Sequence, residues 1–143
     1  MRVVLDTVIY VRALINPKGR WGRLVLEIAR QHMLITSPEI VREVIEVLHR
    51  QEVRDKLSLL EHSVRIEVIL ATLQEAEVVE PAGRPTVCRD ADDDKFFWCA
   101  AAGSADYIIS EDKDILSVGQ YRGVKTVSAD AFMTLLAEQE LEG

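Results

Sequence analysis

Cysteine, histidine, proline and glycine are all scarce in this 143-residue chain, and each shortage removes a class of explanation. Cys88 and Cys99 form no C-x-x-C pair and nothing points to export, so a reducing cytosol is expected, with both thiols packed as small core side chains. His32, His49 and His62 are scattered without metal-ligand spacing and are assigned no chemistry. With four prolines and seven glycines there is no low-complexity tract, and no internal repeat is visible. No apolar run approaches the roughly 20 residues of a membrane span. The opening MRVVLDTVIYV is too short and too soon charged to act as a signal peptide.

What is present is a chain that is 48% hydrophobic, enough for one folded domain over residues 1–143. The net charge of −7 is not spread evenly. Residues 90–114 hold eight of the 24 acids and two of the 17 bases, a local −6, so the rest of the chain is close to neutral. A nucleic-acid partner therefore remains compatible with this chain, provided something neutralises that one segment.

Short apolar segments alternate with helical patterns. Strands are expected at VVLD (Val3–Asp6), MLITS (Met33–Ser37), AEVVEP, ADYIIS (Ala105–Ser110) and VKTVS. Helices are expected from Val8 to Ile15, from Gly22 to Gln31, and after Ser37, where Ser-Pro-Glu supplies an N-cap, a first-turn proline and an acid. A capping-box spacing, Ser58 with Glu61, predicts a long helix to about Gln74. Further helices are expected from Asp94 to a stop at Gly103 and from Ala129 to about Glu140, capped by Ser128. This alternation predicts a parallel sheet of five strands covered on both faces, with its binding edge at the strands' C-terminal ends.

That edge is where the acids fall. Asp6 ends the first strand, SEDKD follows the fourth, and DADDD (Asp90, Asp92, Asp93, Asp94) stands at the junction leading into the helix before it. Taken singly, most are ordinary caps or solvated charges. Gathered at one edge without basic partners they would raise one another's pKa sharply, a cost that hard divalent cations relieve because Mg²⁺ and Mn²⁺ prefer oxygen ligands. Such ions, singly or in pairs, activate water and stabilise the leaving oxygen of a phosphodiester. Two rival acidic motifs fit less well. An EF-hand loop begun at Asp90 needs Gly and Glu where Lys95 and Ala101 stand, and the D-x-D-x-T opening of haloacid-dehalogenase-type phosphatases has Val8 in place of its second Asp.

The segments VVLDTVIYVRAL, ITSPEIVREVIEVL, CRDADDDKFFWCAAAGSADYIISEDKDIL and VKTVSADAFMTLL together resemble the PIN-domain family, in particular the VapC-type ribonuclease toxins. The resemblance implies a three-layer α/β/α fold, a Mg²⁺- or Mn²⁺-dependent endoribonuclease using one or two ions, a small antitoxin partner and a homodimer. Carried over by position, Asp6, Glu43, Asp94 and Asp112 match the four acids. Asp114 and Asp90 are additional ligand candidates. Asp90 or Asp93 can take the third place instead, and Ser110 and Asp93 otherwise support the ligands. The family's opening normally reads D-T-N; here Val8 replaces the amide. The alternative that this suggests is an impaired PIN fold that binds RNA or an antitoxin without turnover. In NPKGRWGR, Lys18, Arg20 and Arg23 are candidate phosphate contacts and Trp21 a stacking platform.

Overall fold

The computed structural model describes residues 1–58 and 71–142. Strands β1 (Arg2–Leu5), β2 (Met33–Thr36), β3 (Glu77–Val78), β4 (Tyr107–Ile109), β5 (Gln120–Tyr121) and β6 (Val124–Val127) form one sheet in the order β3-β2-β1-β4-β6-β5. Every neighbouring pair is parallel except β5 with β6. Among the described residues the helices are α1 (Thr7–Ile15), α2 (Arg20–Gln31), α3 (Pro38–Leu48), α4 (Gln51–Ser58), α5 (Asp94–Ala102), α6 (Lys113–Leu116) and α7 (Ala129–Glu142), and residues 71–75 are also helical. The result is an α/β sheet flanked by helices, as the alternation predicts.

Burial follows the apolar runs. Val3, Val4 and Leu5 of β1 and Ile108 and Ile109 of β4 are fully buried, which a central parallel sheet covered by helices requires. Tyr10 of α1, Phe96 and Phe97 of α5 and Phe132 of α7 are the bulkiest side chains enclosed around it. Cys88 and Cys99 are free and buried, as expected. Gly103 does end α5, but not through a left-handed backbone, since its φ is −92°. The reason is proximity: a Cβ there would lie 2.6 Å from Ile35 Cγ2 of β2.

Three expectations are corrected. The sheet has six strands, because Gln120–Tyr121 folds back on Val124–Val127 through a tight turn in which Arg122 (φ 48°) and Gly123 (φ 84°) are both left-handed. Gln51–Ser58 is helical, so Ser58 lies within a helix instead of standing as the N-cap of a new one. The long helix expected beyond Ser58 lies mostly outside the described residues. The third strand is only the Glu77–Val78 part of AEVVEP, laid beside Ile35 and Thr36.

The strand order sets the site. From β1 the chain steps to β2 and β3 on one side, then returns to place β4 and β6 on the other. The reversal point is therefore the crevice between the C-terminal ends of β1 and β4. The Asp6 N–H donates to the Ile109 carbonyl at 3.1 Å, lacing those two ends together.

Candidate metal centre

Asp6 leaves β1 in extended backbone and caps α1, its Oδ1 accepting the Val8 N–H at 2.8 Å. Its Oδ2 accepts the Ser110 hydroxyl at 2.6 Å. Ser110, fully buried at the end of β4, also accepts the Asp112 N–H at 2.9 Å. Asp112 in turn caps α6, with its Oδ1 accepting the Asp114 N–H at 2.8 Å. One hydroxyl thus joins the two strand ends, holding the carboxylate of Asp6 and the backbone of Asp112. Burial raises the Asp6 pKa, and the neighbouring Asp112 and Glu43 charges add to it; the Ser110 and Val8 bonds oppose the rise.

These acids open on a cavity of about 260 Å³, lined also by Glu43, Asp93 and Glu111, with Val8 and Arg12 in its wall. Asp93 carries the strongest sign of frustration. Its Oδ2 is buried and finds no hydrogen-bond partner among the described residues. Its carboxyl is pushed up to about 7, first by burial and then by Asp112, Asp90 and Asp6. Asp93 also belongs to a second group: one carboxylate oxygen from each of Asp90, Asp93 and Asp114 lie within 4.8 Å of one another. A hard cation is what such oxygens accept, because it neutralises several carboxylates at once and needs no nitrogen or sulfur donor. The chain's donor set fits Mg²⁺ or Mn²⁺.

The expected ligands do not all gather here. Asp6, Glu43 and Asp112 do. Asp94 does not: it is buried, and its Oδ1 accepts the N–H groups of Val87 at 3.2 Å and Cys88 at 2.6 Å. Asp94 therefore pins the loop before α5 to the helix start, and Asp93, one of the two alternatives for the third place, faces the cavity instead. Asp90 caps the short 3-10 turn Ala91–Asp93, its Oδ1 accepting the Asp92 N–H at 3.0 Å.

Three participants escape the sequence reading. Lys95, one residue into α5, pairs with the Glu43 carboxylate from across the sheet edge. Glu111 lines the cavity while accepting the Ala129 N–H at 2.9 Å, at the start of α7. Arg12 reaches the same wall from α1. Its one sequence signal is position: it follows Val8 by four residues and so shares that helix face.

The expected RNA-contact group sits elsewhere. Trp21 is half-buried against the core, with the guanidinium carbons of Arg12 and Arg20 at 5.3 and 4.7 Å from its ring centre. Arg20 pairs with Asp130. Lys18 and Arg23 are exposed, and none of the four lines the acidic cavity.

Residues 2–114 match the sequence model of the family described as PIN domain. The chain belongs to the PIN-domain family. Asp114 is the last residue of the match, so the matched part of this PIN domain includes every acid of both groups. An uncharacterised protein of Methanocaldococcus jannaschii, MJ1680, is 34% identical over 121 residues, which cover 82% of this chain and 75% of that protein. In three dimensions the PIN domain is similar to a chain in the crystal structure of VapBC2 from Rickettsia felis bound to a DNA fragment from their promoter. That superposition has a TM-score of 0.57 over 90% of this chain and 98% of the other, and at 14% identity it is a likeness of fold. No described helix is long and apolar enough to cross a membrane.

Proposed function

We propose that this PIN domain is a Mg²⁺- or Mn²⁺-dependent endoribonuclease, the toxin of a pair formed with a small antitoxin protein. The observation that supports this most directly is the Asp93 Oδ2, buried, unpartnered among the described residues and surrounded by Asp6, Asp112 and Asp90. Carboxylates held this close without a cation destabilise one another, and a fold that keeps them together is suited to binding one. The likeness to a chain of VapBC2, together with the family's nuclease character, favours RNA hydrolysis and an antitoxin partner.

In this reading Asp6, Glu43, Asp93 and Asp112 are the ligands, and Asp90 and Asp114 offer a second position that shares Asp93. A bound divalent ion supplies Lewis acidity, lowering the pKa of water and stabilising charge on the scissile phosphate. The chain's own residues do the rest. Ser110 holds Asp6 and Asp112 at a fixed separation, so little reorganisation accompanies the reaction. Arg12, in the cavity wall, is placed to meet a non-bridging phosphate oxygen. Lys95 keeps Glu43 oriented toward the cavity, and Asp94 positions the loop that brings Asp93 in.

The test is cleavage of a labelled single-stranded RNA by purified protein. Cutting is expected with Mg²⁺ or Mn²⁺ and not in EDTA, and both Asp6→Asn and Asp93→Asn should reduce it at least a hundredfold. Asp94→Asn, which retains an oxygen acceptor for Val87 and Cys88, should reduce it less than Asp93→Asn. Cutting that persists in EDTA, or survives intact in Asp6→Asn and Asp93→Asn, would rule this mechanism out.

A further inference from the structure

A second cleft, of about 530 Å³, has the opposite character to the acidic cavity. It lies between the loop Ala82–Pro85, the last two turns of α5 and the tip of the β5–β6 hairpin. Its walls carry two aromatic rings, Trp98 and Tyr121, and two arginines, Arg84 and Arg122, with no carboxylate among the described residues that line it. In a chain of net charge −7 this is a local reversal of sign.

The two rings are held in place, and the two cations beside them are exposed. Trp98 donates its Nε1 proton to the Pro85 carbonyl at 2.7 Å, which fixes the indole along the loop. Tyr121 stands edge-on to the buried Phe97, with ring centres 5.9 Å apart. Arg84 and Arg122 are exposed; their guanidinium carbons lie 6.0 Å from the Trp98 ring centre and 5.3 Å from the Tyr121 ring centre. Arg84 also has the half-buried Glu39 at 3.7 Å, a long contact for an ion pair with one exposed partner. Fixed aromatic faces flanked by exposed guanidinium groups are what an unpaired base and its phosphates bind.

We propose that this cleft binds an unpaired nucleotide of the same single-stranded RNA whose scissile phosphate lies at the acids. The inference rests on the nuclease reading for the identity of the strand. The spacing permits it: α5 carries Asp94 at its start, Trp98 one turn on and Ala101 in its last turn. At 1.5 Å per residue the cleft begins roughly 7–12 Å along the helix axis from Asp93. The cleft then supplies the attraction for phosphate that an acid-rich centre lacks, and fixes where the strand lies across it.

The experiment is fluorescence anisotropy of a labelled single-stranded RNA with the full chain in EDTA, where binding is read without cleavage, over a series of salt concentrations. Wild type is expected to bind. The double variant Arg84→Gln/Arg122→Asn changes only exposed side chains, and Asn tolerates the left-handed backbone at 122. It should bind more weakly and with a salt slope shallower by about 1.4, the value for two phosphate contacts on a single strand. Trp98→Leu should weaken binding about 5- to 150-fold with the slope unchanged. Unaltered affinity in both variants, or equal loss of single-stranded and duplex RNA binding, would overturn the proposal. If the protein fails to cut RNA in Mg²⁺ yet these variants lose binding as described, the cleft stands and the nuclease reading falls.

Discussion

Asp93→Asn should make the metal-free protein more stable, the reverse of what removing a buried polar partner normally does. The folded-state pKa of Asp93 lies at about 7, against 3.8 for the free side chain. The folded chain therefore holds this proton more tightly than the unfolded chain, so stability falls as pH rises from about 4 and the penalty is complete above about 7. The gap in pKa corresponds to about 4 kcal/mol at full strength, but Asp93 is only half-buried and water screens it, so about 1–2 kcal/mol is the reasonable expectation. For a domain of this size that raises the melting temperature of the asparagine variant by roughly 3–8 °C at pH 8 in EDTA. At pH 5 about a third of the advantage remains. Divalent metal narrows it from the other side. Wild type gains about 2.7 kcal/mol at a hundred times its dissociation constant, whereas a variant with tenfold weaker binding gains at most about 1.4 kcal/mol. Circular-dichroism melts at the two pH values, with EDTA and with Mn²⁺, read all of this. If Asp93→Asn melts below wild type at pH 8 in EDTA, or if Mn²⁺ raises both proteins equally, the cation-site argument fails.

Val8 is 48% exposed and lines the acidic cavity, while its backbone N–H, not its side chain, holds Asp6. Val8→Asn should therefore leave the cap intact and add a polar group near the acids. If the valine impairs the site, Mn²⁺-dependent cleavage rises about 10- to 100-fold, measured as initial rate on single-stranded RNA; an unchanged rate means the valine costs nothing. Gly22→Ala tests the packing of the loop between α1 and α2 against α2: its Cβ would lie 2.0 Å from the Pro17 carbonyl oxygen. A loss of about 2–3 kcal/mol in urea unfolding is expected, and a loss below about 0.5 kcal/mol would contradict the tight approach.

The frame was readable because its signals are local. VVL, MLI and YII are unbroken apolar runs, and Ser37-Pro38 and Ser128 mark helix starts that need no tertiary information. The hairpin was harder: Gln120–Tyr121 is too short to show alternation, though an Arg-Gly turn followed by VKTV is a hairpin signal in retrospect. The α4 helix has few apolar residues, yet Gln51 and Asp55 stand four apart and hydrogen-bond at 2.7 Å, and Glu52 and Lys56 have the same spacing. Within the site, Asp6 and Asp112 come together because they sit just past the adjacent strands β1 and β4, and Glu43 joins them from the second turn of α3, the helix that follows β2. Asp93 against Asp94 could not be settled from the chain, since neighbouring residues differ by about 100° around a helix. Which one faces the cavity depends on where residues 87 and 88 fold back, and that is a tertiary fact. The pairing of Lys95 with Glu43 is a contact of the same long-range kind.

Three of the acids at this crevice, Asp6, Asp90 and Asp112, each lend an oxygen to the first turn of the segment that follows. Electrostatic role and helix initiation are thus carried by one side chain. Alanine scanning would remove both together and report a misfolded start as a lost function. Asparagine keeps the acceptor and discards the charge, so a comparison of the two replacements at each position separates architecture from chemistry in this crevice.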